Sequence, residues 1–80
     1  MKTTQILRHI IAGLEGATVA DQFYAVFDKG ESMDDQNINA LRYTHIALKM
    51  MYHSTALLSV RNDIEEYINE LTTYLQAETV

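Results

Sequence analysis

The sequence predicts an all-α protein, a small bundle of three or four helices. Apolar residues recur at helical spacing in four segments, while alternation with a period of two is weak throughout. The chain has 80 residues, no proline and three glycines, all within the first 30 positions. A charged fraction of 21% and a hydrophobic fraction of 48% indicate a globular protein. No linker or repeat interrupts it, so we expect one domain over residues 1–80.

The first predicted helix is amphipathic and ends at a glycine. Thr3 or Thr4 is a suitable N-cap, and Gly16 is placed to terminate the helix. The apolar residues share one face, with polar residues opposite. They are Ile6, Leu7, Ile10, Ile11 and Leu14.

The second predicted helix has its apolar residues on one side and ends before Gly30. Thr18 and Asp21 have the spacing of a capping box at its start. Gly13 and Gly16 also allow a single bent helix over residues 4–29, but we expect two helices. The apolar side consists of Val19, Ala20, Phe23, Tyr24, Val26 and Phe27.

The third predicted helix begins with Asp34 as its N-cap. Met33 and Ile38 flank this residue at the spacing of a hydrophobic staple. Nothing interrupts the helical pattern before Leu58, so we expect one helix over residues 34–58.

This third helix is apolar nearly all round, with one narrow polar stripe formed by Arg42, Lys49 and His53. A helix of this kind has to be covered on most sides, and the remaining short helices can hardly cover it all. We therefore expect it to be central and to contribute to a homodimer. The residues predicted to mediate self-association are Tyr43, Ile46, Met50, Met51 and Leu57.

The fourth predicted helix has apolar residues at the a and d spacing of a heptad. Asn62 and Glu65 form a capping-box pattern at its start. Residues 59–62 are either a turn or a polar stretch of one long helix, and packing favours the turn, because a continuous helix would leave its apolar faces bare. The heptad residues are Ile64, Ile68, Leu71 and Leu75.

Negative charge is concentrated on this last helix. Residues 1–61 contain six basic and six acidic residues, whereas residues 62–80 contain five acidic residues and no basic one. The net charge of −5 therefore lies on one segment. An acidic face is either a solvated outer surface or a binding surface for a protein with a basic surface. The candidate partner-binding residues are Asp63, Glu65, Glu66 and Glu70, with Tyr67 and Tyr74 at the edge.

The residues that usually carry metal or catalytic chemistry do not form recognisable patterns. Without cysteine there is no disulfide, thiolate zinc site or cysteine nucleophile. His9, His45 and His53 have neither a histidine nor a carboxylate four residues away. Ser54 follows His53 directly, so on a helix the two side chains point in different directions. We expect no metal, no cofactor and no enzymatic activity.

Nucleic-acid binding and membrane insertion are also disfavoured. A helix-turn-helix built from the second and third helices would present Asp34 and Asp35 to the phosphates. No apolar run resembles a signal peptide or a membrane span, so we expect a cytoplasmic protein.

These observations together predict a small acidic, non-enzymatic regulator or inhibitor that binds another protein. A phage-type inhibitor of a nucleic-acid-handling complex, acting through the acidic face, fits the composition. The alternative is a structural or self-assembling helical dimerisation module. A DNA-binding regulator is the third possibility.

Overall fold

The computed structural model describes residues 1–78, and within them the protein is all-α, with four α-helices and no strand. This confirms the predicted fold class, and the described part is compact, measuring 35 × 21 × 20 Å. The predicted domain of residues 1–80 includes two positions outside the described residues. The helices are α1 (Thr3–Glu15), α2 (Ala17–Phe27), α3 (Ile38–Tyr52) and α4 (Arg61–Glu78), with 3₁₀ segments at Met33–Asp35 and Thr55–Val60.

Helices α1 and α2 form an antiparallel pair joined by a single residue, Gly16. Its φ of +97° lies in the left-handed region, which glycine adopts without strain. Thr4 contacts Asp28 and Arg8 contacts Asp21, so residue numbers increase along α1 in the direction in which they decrease along α2. The expectation of two helices rather than one bent helix is confirmed.

Helices α3 and α4 form a second antiparallel pair. The Nε2 atom of His45 lies 2.8 Å from the Oγ1 atom of Thr72. One end of the pair is joined by a 3.2 Å hydrogen bond from the Tyr52 hydroxyl to the Glu65 carboxylate. Of the heptad residues of α4, Ile64, Leu71 and Leu75 are buried and Ile68 is half-buried.

The core draws on all four α-helices. An aromatic cluster lies between α2 and α4, where the Tyr67 ring centroid is 5.7 Å from that of Phe23 and 4.7 Å from that of Phe27. Burying a large apolar side chain stabilises the fold by about 1.5–3 kcal/mol. The large apolar side chains with no exposed surface are Phe23, Leu7, Ile11, Leu41, Leu48, Ile64 and Leu71.

The predicted caps of the first two helices are wrong. Lys2 occupies the N-cap of α1, because Thr4 faces inward and donates a 2.6 Å hydrogen bond to Asp28. Helix α2 begins directly after Gly16 without a side-chain cap. The carboxylate of Asp21, expected in a capping box, accepts instead from Arg8 at 2.7 Å.

The predicted start of the third helix is also wrong. Asp34 belongs to a separate 3₁₀ turn, in which the Ser32 hydroxyl accepts from the Asp34 backbone N–H. Asn37 is the N-cap of α3, since its Oδ1 accepts from the backbone N–H groups of Asn39 and Ala40. The backbone N–H of Asn37 donates a 2.8 Å hydrogen bond to Oε1 of Gln22 in α2, which fixes the position of this cap.

The third helix is shorter than predicted. Helix α3 ends at Tyr52, and Ser54 has extended backbone, so residues 34–58 are not one helix. The 3₁₀ segment Thr55–Val60 follows, and α4 begins at Arg61, within the expected turn. The break lets α4 fold back on α3 and excludes one continuous helix through both.

Candidate functional site

The acidic residues of α4 point in two directions. Glu65 lies on the α3 side of the helix, where it accepts the hydrogen bond from Tyr52. Three of the other four raise the pKa of the Tyr67 phenol through their negative charge, whereas Glu78 acts on Tyr74. We call these three residues the α4 acidic cluster: Asp63, Glu66 and Glu70.

Tyr67 lies on α4 together with the residues of the α4 acidic cluster, whose charges act on its phenol. Its half-buried ring packs on Phe23 and Phe27, and this burial raises the pKa of the phenol most. The negative charges of the cluster raise it further, and so does Asp28 at the end of α2. Asp28 could not be predicted as part of this site, because nothing in the local sequence pattern places the end of α2 beside α4.

The α4 acidic cluster is not neutralised by the described part of the chain. Within residues 1–78 the ion pairs are Lys2–Asp28, at 3.6 Å, and Arg8–Asp21, at 2.7 Å. Neither pair involves α4. Glu66 and Glu70 are exposed and Asp63 is half-buried, so this side of the molecule presents negative charge that no ion pair within residues 1–78 engages.

Tyr74, also predicted to contact a partner, has its hydroxyl engaged within the molecule. The hydroxyl donates a 2.8 Å hydrogen bond to Asp34, and this bond is the main reason that its pKa is raised to about 12. Tyr74 therefore joins α4 to the first 3₁₀ segment.

The residues predicted to mediate self-association do not form a single exposed surface. Tyr43, Ile46 and Met50 line the outer side of α3, with 49%, 45% and 58% of their surfaces exposed. We call them the α3 apolar row. Met51 is only 4% exposed and belongs to the core, and Leu57 is half-buried.

A shallow groove extends the α3 apolar row toward the end of α1. Its volume is about 290 Å³, and Leu14, Met50 and Leu57 contribute to its lining. Leu14 is exposed, although the sequence analysis placed it on the apolar face of the first helix. The helical spacing of Leu14 predicted its face, but the position of α3 decides whether that face is covered.

Cationic side chains lie beside the α3 apolar row, on the α4 side. Arg42 and Lys49 are exposed cations, and the exposed imidazole of His53 at the C-cap of α3 continues their line. We call the three residues the α3 cationic row. Lys49 and His53 border a groove of about 300 Å³ between α3 and α4. Arg42 donates a 3.5 Å hydrogen bond to Asn39 of its own helix.

The described residues do not bring metal-binding side chains together. Over residues 1–78, no three His, Asp or Glu side chains converge as a possible metal site. His45 contributes to the contact between α3 and α4, because its imidazole faces Thr72. Burial there lowers the pKa of His45.

No family model matches the chain, and neither a curated protein nor a solved structure is significantly similar to it. Among the helices of residues 1–78, none has both the length and the apolarity needed to cross a membrane.

Proposed function

We propose that this protein is a small non-enzymatic regulator or inhibitor that binds another protein through the α4 acidic cluster. The observation that carries the proposal is the set of three carboxylates around Tyr67, two of them exposed, with no Lys or Arg of residues 1–78 in an ion pair with them. Such a patch attracts a basic surface over a distance and selects against acidic ones. A tyrosine at its centre is a common interface anchor.

The proposed partner is a protein whose basic surface otherwise contacts nucleic acid. Carboxylates of the α4 acidic cluster would form ion pairs with the Lys and Arg side chains that otherwise bind phosphates. A phage-type inhibitor of a nucleic-acid-handling complex would act in this way. A cytoplasmic location belongs to the same proposal. Direct DNA binding ranks third, because Asp34 and Asp35 are exposed on the same chain and would repel phosphates.

A selection from a displayed library of random peptides tests this proposal, because such a selection does not require the partner to be identified first. We expect the wild-type protein to enrich peptides rich in Lys and Arg. The double variant Glu66→Lys/Glu70→Lys should bind the selected peptides at least tenfold more weakly, with unchanged helicity by circular dichroism.

The matched control is Glu15→Lys/Glu65→Lys, which changes the net charge equally but lies away from the cluster. Glu65 is on the opposite side of α4, and Glu15 is at the end of α1. This control should retain peptide binding. Equal loss in both double variants, or full retention in Glu66→Lys/Glu70→Lys, would reject the acidic cluster as the binding surface.

Self-association is the second candidate, favoured by the exposed α3 apolar row. In this case the protein is a structural dimerisation module in which α3 is the central apolar helix and a homodimer buries Met50 and its neighbours. Sedimentation equilibrium over a tenfold concentration range tests it. Met50→Glu should then produce a folded monomer, whereas Thr73→Glu on the exposed side of α4 should leave the mass unchanged.

A further inference from the structure

The outer side of α3 carries two parallel rows of different chemistry. The α3 apolar row lies toward α1, and the α3 cationic row lies toward α4. Together they extend over residues 42–53, which is roughly 16 Å at about 1.5 Å per residue. This length corresponds to about three turns of a helix packed alongside.

The apolar row is not covered and the charges of the cationic row are not paired within the described residues. Every member of the α3 apolar row is at least 45% exposed. Neither Arg42 nor Lys49 forms an ion pair in residues 1–78. The His53 ring contacts the edge of the neighbouring Tyr52 ring, with centroids 5.4 Å apart.

We propose that the outer side of α3 is a docking surface for an amphipathic helix of another protein, with acidic residues along one edge of that helix. The apolar side of the partner helix would cover the α3 apolar row, and its acidic edge would lie along the α3 cationic row. One apolar side chain of the partner would enter the groove beside Met50 and Leu14, whose volume is about 290 Å³.

The cationic row favours this occupant over a second copy of the chain. A two-fold contact places the same patch against itself. In an antiparallel two-fold contact of α3 centred on Ile46, the cationic row of one copy would run along that of the other, and like charges across an interface are unfavourable. Helix α4 of a second copy has carboxylates, but no large apolar side chain of its described residues is exposed to cover the α3 apolar row.

Two designed helical peptides test the proposal by fluorescence anisotropy. Both carry leucines along one side, and they differ only in having Glu or Lys along the adjacent edge. We expect the Glu peptide to bind at least tenfold more tightly than the Lys peptide. The difference should shrink between about 0.05 and 0.5 M NaCl, because salt screens exposed charges.

Variants test separately how the cationic row and the apolar row contribute to peptide binding. Arg42→Glu/Lys49→Glu should reverse the preference between the peptides. Met50→Asp should weaken both at least tenfold, and as Met50 is 58% exposed this variant should keep its helicity. Glu66→Lys/Glu70→Lys should leave binding of the Glu peptide unchanged, which separates this surface from the α4 acidic cluster.

Three outcomes would overturn the proposal: equal affinity for the two peptides, no saturable binding of the Glu peptide, or a stable wild-type dimer that Met50→Asp dissociates. The last result would assign the same face to a second copy.

Discussion

The Tyr74 hydroxyl donates a 2.8 Å hydrogen bond to Oδ1 of Asp34, which lies 40 positions earlier in the chain. The bond joins the last turns of α4 to the 3₁₀ segment before α3. The bond engages the carboxylate of Asp34, which lies in the 3₁₀ segment and does not cap a helix. It also raises the pKa of Tyr74 to about 12, with burial and the negative charges of Asp34 and Glu78 adding to the effect.

Replacing Tyr74 with Phe should remove a tyrosine ionisation near pH 12 from the ultraviolet titration of the folded protein. The folded-state pKa lies above the ordinary value of 10.0, so the stabilising contribution is fully present below pH 10 and is lost as the pH rises through about 12. The stability difference between wild type and Tyr74→Phe should follow this course. Tyr43→Phe is the control, and a transition near pH 12 that disappears in this variant instead would contradict the assignment.

Substitution of two glycines by alanine should have opposite effects on the free energy of unfolding. Gly16 has φ +97°, so Gly16→Ala strains the junction of α1 and α2 and lowers stability. Gly13 lies within α1 with open space around its Cα, so Gly13→Ala should raise stability by about 0.5–1 kcal/mol. Urea unfolding measures both, and effects of the same sign would show that the junction is not as described.

Removing core volume at Leu48 should destabilise the protein strongly. Leu48 is fully buried between the helices, so Leu48→Ala should cost about 2–5 kcal/mol in the free energy of unfolding. Leu58 is the matched control, because it is 59% exposed and Leu58→Ala should change stability by no more than about 0.5 kcal/mol. Similar losses in the two variants would contradict the assignment of core and surface around α3.

Acid should weaken the contact between α3 and α4 at His45. The Thr72 hydroxyl donates to the Ile68 carbonyl, so the His45 Nε2–H donates to Thr72. Burial, followed by the charge of Lys49, lowers the pKa of His45 below 6.5. The contribution to stability is therefore present above pH 6.5 and is lost as the pH falls through the lower folded-state pKa.

The variant His45→Gln checks this prediction, because it keeps an amide donor but cannot be protonated. The stability advantage of wild type over His45→Gln should decrease as the pH is lowered from about 8 to 5. An advantage that is constant over this range would show that His45 does not titrate differently in the folded and unfolded states.

Much of the fold followed from the periodicity of the apolar residues. The spacing of Leu7 and Ile11, and of Ile64 and Leu71, predicted the sides of α1 and α4 that are buried. Helix caps could not be predicted in the same way, because several residues near the start of α3 are able to cap. The choice of Asn37 depends on Gln22, which lies in another helix.

The candidate surfaces were predicted only in part, because a sequence pattern does not give the rotation of a helix against its neighbours. Four acidic residues were expected on one face of α4, yet Glu65 turns toward Tyr52 of α3. Likewise Met50 and Met51 are adjacent members of one predicted patch, and packing against the core buries Met51 while leaving Met50 exposed.

Local sequence was sufficient to predict the helical class, four segments with helical spacing and the excess of negative charge on the last of them. These properties depend on residues that are close along the chain. The packing of the helices was needed to learn that α3 ends at Tyr52, that Tyr74 reaches Asp34, and that an apolar and a cationic row lie side by side on α3. The break and the helix rotations depend on contacts between segments far apart in sequence, which no local pattern encodes.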